Sequence, residues 1–178
     1  MSVLDLVYSP HSIRILHRVF SDDGKIPNSP LPAILYFNTL PFPAAQEPEV
    51  WERLFVENGW SPDWRDGVYS YDHYHSTAHE VLGVFRGRAQ LRLGGKRGLN
   101  IELAAGDAVI IPAGVGHRNV QSTSDFTVVG AYPQGQAWDI RRGKAGERPA
   151  ADRAIEQVPI PALDPLYGES GHLPLLWR

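Results

Sequence analysis

Four side chains in this 178-residue sequence have the types and spacing to hold a divalent metal ion: His73, His75, Glu80 and His117. His73 and His75 are separated by one residue, so on a strand both point to one face while Tyr74 points to the other. A turn at 76–78 would return the chain antiparallel and bring Glu80 to that same face. His117 ends the run GDAVIIPAGVGH, in which Gly114 and Gly116 permit backbone geometries that a side chain would obstruct. Three nitrogens and one oxygen suit a first-row ion with positions left open for water or substrate, and Fe, Zn, Ni and Mn all accept such donors.

These side chains need a β scaffold to position them, and the sequence supplies one. Short runs rich in β-branched and aromatic residues follow one another at close spacing from residue 68: VYSYDHYH, EVLGVFRG, RAQLRLGG, LNIELAAG, DAVIIPAG, HRNVQS and DFTVVGAYP, separated by Gly, Asp and Asn. That pattern predicts a sandwich or barrel, with LRLGGKRGLNIEL as a hairpin. Upstream, AILYFNTL reads as a buried strand and the first of the sheet. PEVWERLFVENGW places Val50, Trp51, Leu54 and Phe55 at helical spacing, so a short helix should lay that face on the outside of a sheet. One domain is expected, with a core barrel over about 31–141, an N-terminal arm over 1–30 and a Pro-rich C-terminal extension over 142–178. Leu173, Leu175, Leu176 and Trp177 suggest that this extension docks rather than hangs free.

Composition narrows the function classes. The net charge is −3 at pH 7 and the basic residues are scattered, so nothing resembles the positive stripe of a nucleic-acid binder. With no cysteine there is neither a disulfide framework nor a thiolate ligand, and any metal must be bound through nitrogen and oxygen. The longest apolar runs fall short of the roughly 20 residues that span a bilayer. A soluble, cytoplasmic protein with no membrane partner is the expectation.

The segments around the four side chains resemble the two motifs of the cupin superfamily. The first, G-x5-H-x-H-x3-4-E-x6-G, is matched by Gly67, His73, His75, Glu80 and Gly87. The second, G-x5-P-x-G-x2-H-x3-N, is matched by Gly106, Pro112, Gly114 and His117, and then departs: Gln121 occupies the Asn position, with Asn119 two residues earlier. Further stretches, among them DDGKIPNSPLP, ENGWSPDWRDG and GAYPQGQAWD, are similar to the YjlB-like group of bacterial single-domain cupins. The resemblance implies an all-β jelly-roll barrel (a double-stranded β-helix), His73, His75, Glu80 and His117 as ligands of one divalent transition metal ion, and a homodimer paired through barrel edges.

Other candidates are weighed against simpler roles. Asn119 and Gln121 share the strand face of His117 by alternation and are expected as polar cavity groups. Tyr71 shares the face of His73, where it either lines the cavity or packs. His79 neighbours Glu80 and should face the other way, onto the outer surface or behind the ligands. Trp60, Trp64, Trp138 and Trp177 read as core and loop anchors rather than as a substrate cage. The expected function is a metal-dependent enzyme acting on a small organic molecule in the barrel, as a dioxygenase or as a Lewis-acid isomerase or lyase, with Glu80 a candidate general base. The alternative is a non-catalytic cupin that binds or senses a small ligand beside its metal.

Overall fold

The computed structural model describes residues 2–178. Nine strands form two antiparallel sheets: β1 (Arg14–Phe20), β2 (Ser29–Phe37), β3 (Trp60–Asp66), β4 (Glu80–Arg86), β5 (Arg88–Leu93), β6 (Leu99–Ala104), β7 (Ala108–Ile111), β8 (His117–Ser122) and β9 (Thr127–Pro133). The larger sheet runs β1-β2-β7-β4-β9-β3 and the smaller β6-β5-β8. This is the all-β jelly roll that the cupin resemblance implies, and it fits the sandwich or barrel that the strand spacing predicts. Three helices accompany it: α1 (Pro48–Glu57), α2 (Ala150–Glu156) and α3 (Leu173–Leu176).

Side-chain alternation divides the core into two layers. Ala33, Leu35, Leu82, Val84, Val109, Ile111 and Val128 point into the barrel, where they meet Leu91, Leu93 and Leu103 of the smaller sheet. Their neighbours Ile34, Tyr36, Val81, Ala108, Ile110, Val129 and Ala131 point outward, and α1 covers them with Trp51, Leu54 and Phe55. Both faces of the central strands are therefore buried, which is why their sequences read as continuous apolar runs. Glu80 shares its parity with Leu82 and Val84, so the β4 pleat sends its carboxylate inward.

The C-terminal segment seals the outer layer. Leu166, Leu173 and Trp177 join the α1 cluster, and the Trp177 indole donates to the Pro32 carbonyl at 2.8 Å. Buried Asp164 accepts from the Tyr36 hydroxyl at 2.6 Å and from the backbone N–H groups of Leu166, Tyr167 and Leu173. The extension thus docks on its own barrel.

Two local expectations are corrected and one unread strand is added. The first sheet strand is β1, seven residues within the stretch read as an arm, and it pairs with β2 from Arg14↔Phe37 onward. Its signal is weak because it is an edge strand with mostly exposed side chains. Trp60–Asp66 is also a strand, pairing with β9, although Pro62 inside WSPDWRD argues against one. Conversely, the stretch around His73 is no strand; residues 67–79 form a loop held by isolated bridges, His73↔His117 and Tyr74↔Arg141.

Candidate metal centre

The bridge between His73 and His117 is the foundation of the site. Their backbones exchange two hydrogen bonds, at 3.2 and 2.9 Å, and a directly opposed antiparallel pair places both side chains on one face. The two imidazole centroids lie 4.0 Å apart. Next to this bridge the His75 carbonyl accepts from the Gly114 N–H at 2.8 Å. Gly114 adopts φ +91°, and a Cβ there would lie 2.3 Å from the Asn28 carbonyl oxygen, so only glycine fits this turn. Loop and hairpin are sewn together, and one ring nitrogen from each of His73, His75 and His117 lies within 4.8 Å of the others.

The second ring nitrogen of each histidine sets which way the first one faces. Nδ1 of His73 lies 3.2 Å from the Tyr71 carbonyl and Nδ1 of His117 lies 3.1 Å from the Val115 carbonyl, while His75 Nδ1 contacts the Asp139 carbonyl. A carbonyl can only accept, so each Nδ1 carries a hydrogen, and in the neutral ring Nε2 is left with the lone pair. Glu80 Oε2 lies beside two of them, 3.4 Å from His75 Nε2 and 3.0 Å from His117 Nε2, while the group whose ligand atoms all lie within 4.8 Å of one another holds the three histidines alone. Its other oxygen, Oε1, accepts from the Tyr132 hydroxyl at 2.8 Å, and that hydroxyl in turn accepts from the Trp64 indole at 2.8 Å.

The electrostatics of this cluster call for a cation. Burial drives the His73 imidazole down to about 3, with His117 adding to the shift and Glu80 opposing it. Burial alone would raise the Glu80 carboxyl, yet His75 and His117 hold it well below the ordinary carboxylate range. Burial lowers His75, but Glu80 and Asp139 together move it up. A carboxylate that is 2% exposed is thus kept anionic among imidazoles, and both Glu80 Oε2 and His75 Nε2 lack a hydrogen-bond partner. Unsatisfied buried groups of this kind cost about 1–3 kcal/mol each. One divalent ion would satisfy them together, so the residues present fit the metal that the donor set implies.

Beside the cluster opens a cavity of about 220 Å³. Trp64, Tyr69, Tyr132 and Trp138 form much of its wall, with Asp63 and Asp66 among the residues lining it. Tyr132 and Trp138 stack with centroids 5.7 Å apart, and the Trp138 indole donates to Asp63 at 2.8 Å. Trp64 and Trp138 therefore serve the cavity, a correction to their reading as packing anchors, whereas Trp60 and Trp177 are buried in the core. Gly130 makes room for Trp64: a Cβ on it would lie 2.2 Å from the indole.

The remaining expected residues fall outside the cavity wall. Tyr71 stacks on Tyr69 and carries the Arg142 guanidinium on its ring at 3.8 Å. Gln121 is exposed, because a β-bulge between Asn119 and Gln121 breaks the alternation that linked it to His117. Asn119 donates to the Ser122 hydroxyl. His79 faces away from the cluster, as alternation requires, but it is buried beneath Trp177 rather than on the outer surface. Its Nδ1 accepts from the Ala113 N–H at 2.9 Å, so it has the opposite tautomer to the three clustered histidines.

Trp64, Tyr132 and Asp139 are the contributors that sequence reasoning missed. Tyr132 was discoverable from its parity with Val128 and Gly130 on β9. Asp139 was not: it reaches the site through a loop, taking the Ser76 N–H and hydroxyl on its carboxylate at 2.6 and 2.5 Å.

A jelly-roll barrel with a three-histidine cluster at its open end defines a cupin, and comparison with known proteins agrees. The Cupin_2 cupin domain model matches residues 65–129. The Bacillus subtilis (strain 168) protein called "Uncharacterized protein YjlB" is 44% identical over 159 residues, which cover 89% of this chain and 93% of that one. The chain belongs to the cupin family, in its YjlB-like group. Among solved structures it aligns with procruciferin, an 11S globulin from Brassica napus, at TM-score 0.37 and 15% identity over 76% of this chain. It also aligns with vicilin from Solanum lycopersicum (tomato) at TM-score 0.39 and 17% identity over 65% of this chain. It spans only 28% and 30% of those two chains. The plu4264 protein from Photorhabdus luminescens aligns at TM-score 0.30 and 14% identity, over 74% of this chain and 82% of that one.

Proposed function

We propose that this cupin is a metal-dependent enzyme in which His73, His75, His117 and Glu80 hold one divalent transition metal ion beside a small organic substrate. The observation that carries this reading is the clustering of three histidine ring nitrogens, each ring oriented by a carbonyl at Nδ1, with the buried Glu80 carboxylate beside two of them. When bound, Fe(II) would supply oxygen activation, and a redox-inactive ion would supply Lewis acidity for isomerisation or lyase chemistry. The protein's part is to exclude water with Leu82, Trp64 and Trp138 and to orient the substrate over the ion's open positions. Tyr132 holds Oε1 of Glu80, which favours a ligand role for this residue over that of a mobile general base.

Anaerobic reconstitution with Fe(II), Zn(II), Ni(II) or Mn(II), followed by metal analysis and oxygen-uptake assays against small amines, diketones, phenols and acids, tests the proposal. One metal per chain with substrate-dependent oxygen uptake supports a dioxygenase, and turnover without oxygen supports a Lewis-acid reaction. Stoichiometric metal with no turnover favours the non-catalytic binding role. Failure to retain any of the four metals overturns the site.

A homodimer belongs to the same proposal. The outer edge of β1 is unpaired within the described chain and its Leu16 and Val19 are exposed, a surface that a second copy would cover. Light scattering on the eluting protein measures this directly. No described helix is long and apolar enough to cross a membrane.

A further inference from the structure

The cavity's walls show which chemical class of ligand it accepts, an inference that rests on the proposed small-molecule site and narrows it. Most of its side-chain donors are already committed: the Trp64 indole to Tyr132, the Tyr132 hydroxyl to Glu80, the Trp138 indole to Asp63, and each clustered histidine's Nδ1 to a backbone carbonyl, which leaves the Tyr69 hydroxyl without a protein acceptor. Wide aromatic faces make up the rest of the wall, and they offer an incoming group chiefly π-electron density.

Acceptors, in contrast, are in surplus. Asp63 uses Oδ2 for Trp138, and Asp66 uses Oδ1 for the Gly67 N–H; their second oxygens have no protein partner. Asp63 stands at a β-bulge, where Pro62 and Trp64 pair with the consecutive residues Ala131 and Gly130, and this extra residue lets Asp63 and Trp64 both border the cavity. No lysine or arginine is among the described residues lining it. The neighbouring Arg65 is held elsewhere, by Glu52 at 2.6 Å and Glu49 at 3.0 Å. A divalent ion on Glu80 would leave that centre at a formal +1, so the two aspartates bring the cavity to −1.

We propose that the cavity recognises a small organic cation, an amine or quaternary ammonium on a compact apolar body, with its charge against Asp63, Asp66 and the Trp138 ring. Aromatic faces edged by carboxylates are suited to such a group through cation–π attraction and direct charge pairing. A carboxylate ligand of equal size would meet two like charges, with the Tyr69 hydroxyl as the uncommitted side-chain donor to offset them. The volume of about 220 Å³ lies below the roughly 300–1,000 Å³ of pockets for drug-sized ligands, which keeps the body small.

The test titrates benzyltrimethylammonium, benzylamine and phenylacetate into the Zn(II)-loaded protein and into the metal-free protein, with calorimetry and tryptophan fluorescence as readouts. Benzyltrimethylammonium has no lone pair to give a metal, so its binding reports the wall alone. Both cations should bind about tenfold or more tightly than phenylacetate. Asp63→Asn, which keeps an acceptor for the Trp138 indole, should weaken both about fivefold while the metal content and the melting temperature stay unchanged. Phenylacetate binding as tightly as the cations overturns the proposal, and so does an absence of saturable cation binding or an Asp63→Asn/Asp66→Asn variant with unaltered charge preference. Failure of zinc to load overturns the metal site instead, and the metal-free titration still decides the cation question.

Discussion

The Tyr132 hydroxyl donates to Oε1 of Glu80 at 2.8 Å, and this contact leaves Oε2 to face His75 and His117. Tyr132→Phe removes the donor and leaves Oε1 buried without a partner, a loss of about 1–3 kcal/mol in stability. The carboxylate is then free to rotate, and metal affinity should fall about 10–100-fold, as it does when groups that orient ligands are removed. Competition with a chelator of known affinity measures this. Unchanged affinity in Tyr132→Phe would show that Glu80 is positioned by other means.

Metal should stabilise the fold because the cluster is preformed and uncompensated. At a free metal concentration one hundred times Kd, linkage supplies about 2.7 kcal/mol, which for a chain of this size raises the melting temperature by roughly 5–10 °C. Chelation should reverse that rise. His75→Ala and His117→Ala should bind no metal and show no such shift, and a full metal-induced rise in both variants would remove these residues from the site.

Asp139 couples the 134–141 loop to His75, through its carbonyl on the ring and its carboxylate on Ser76. Burial opposes ionisation here, yet the Ser76 and Arg141 contacts hold its carboxyl below the usual value. Asp139→Ala should cost about 1–3 kcal/mol and loosen His75. Urea denaturation at pH 7, paired with metal titration, should show both losses together; a variant that loses stability but keeps native metal affinity would separate the loop from the site.

His79 gives the metal-free protein an acid sensitivity of defined sign. Burial lowers its folded-state value to about 4, against about 6.5 in a free chain, so on acidification the unfolded chain takes up the proton first. Its contribution to stability is intact above the unfolded value and is lost as the pH falls from about 6.5 towards 4, by about 2 kcal/mol between pH 7 and pH 5. His79→Gln retains an acceptor for the Ala113 N–H and removes the titration. Urea denaturation at the two pH values should show a smaller drop in this variant, and an equal drop would place the sensitivity elsewhere.

The parts of this protein legible in its sequence are those governed by local parity and local turns. Alternation sends Glu80 inward with Leu82 and Val84, the turn-rich run ending at His117 needs glycine at position 114, and the continuous apolar runs mark strands buried on both faces. From these follow a β sandwich or barrel and the four candidate ligands, and the two motifs that resemble the cupin pattern narrow the barrel to a jelly roll. Only the tertiary structure decided what surrounds them. His73 and His75 share a side through a bridge to a strand more than forty residues away, not through a strand of their own. Gln121 leaves the cavity face because of a bulge, and Trp64 enters it because Gly130, on a paired strand, has no side chain. The difference has one physical source. The direction of a side chain along a regular strand depends on its neighbours in sequence, whereas bulges, bridges and cross-strand space depend on the pairing of backbones that are distant in the chain.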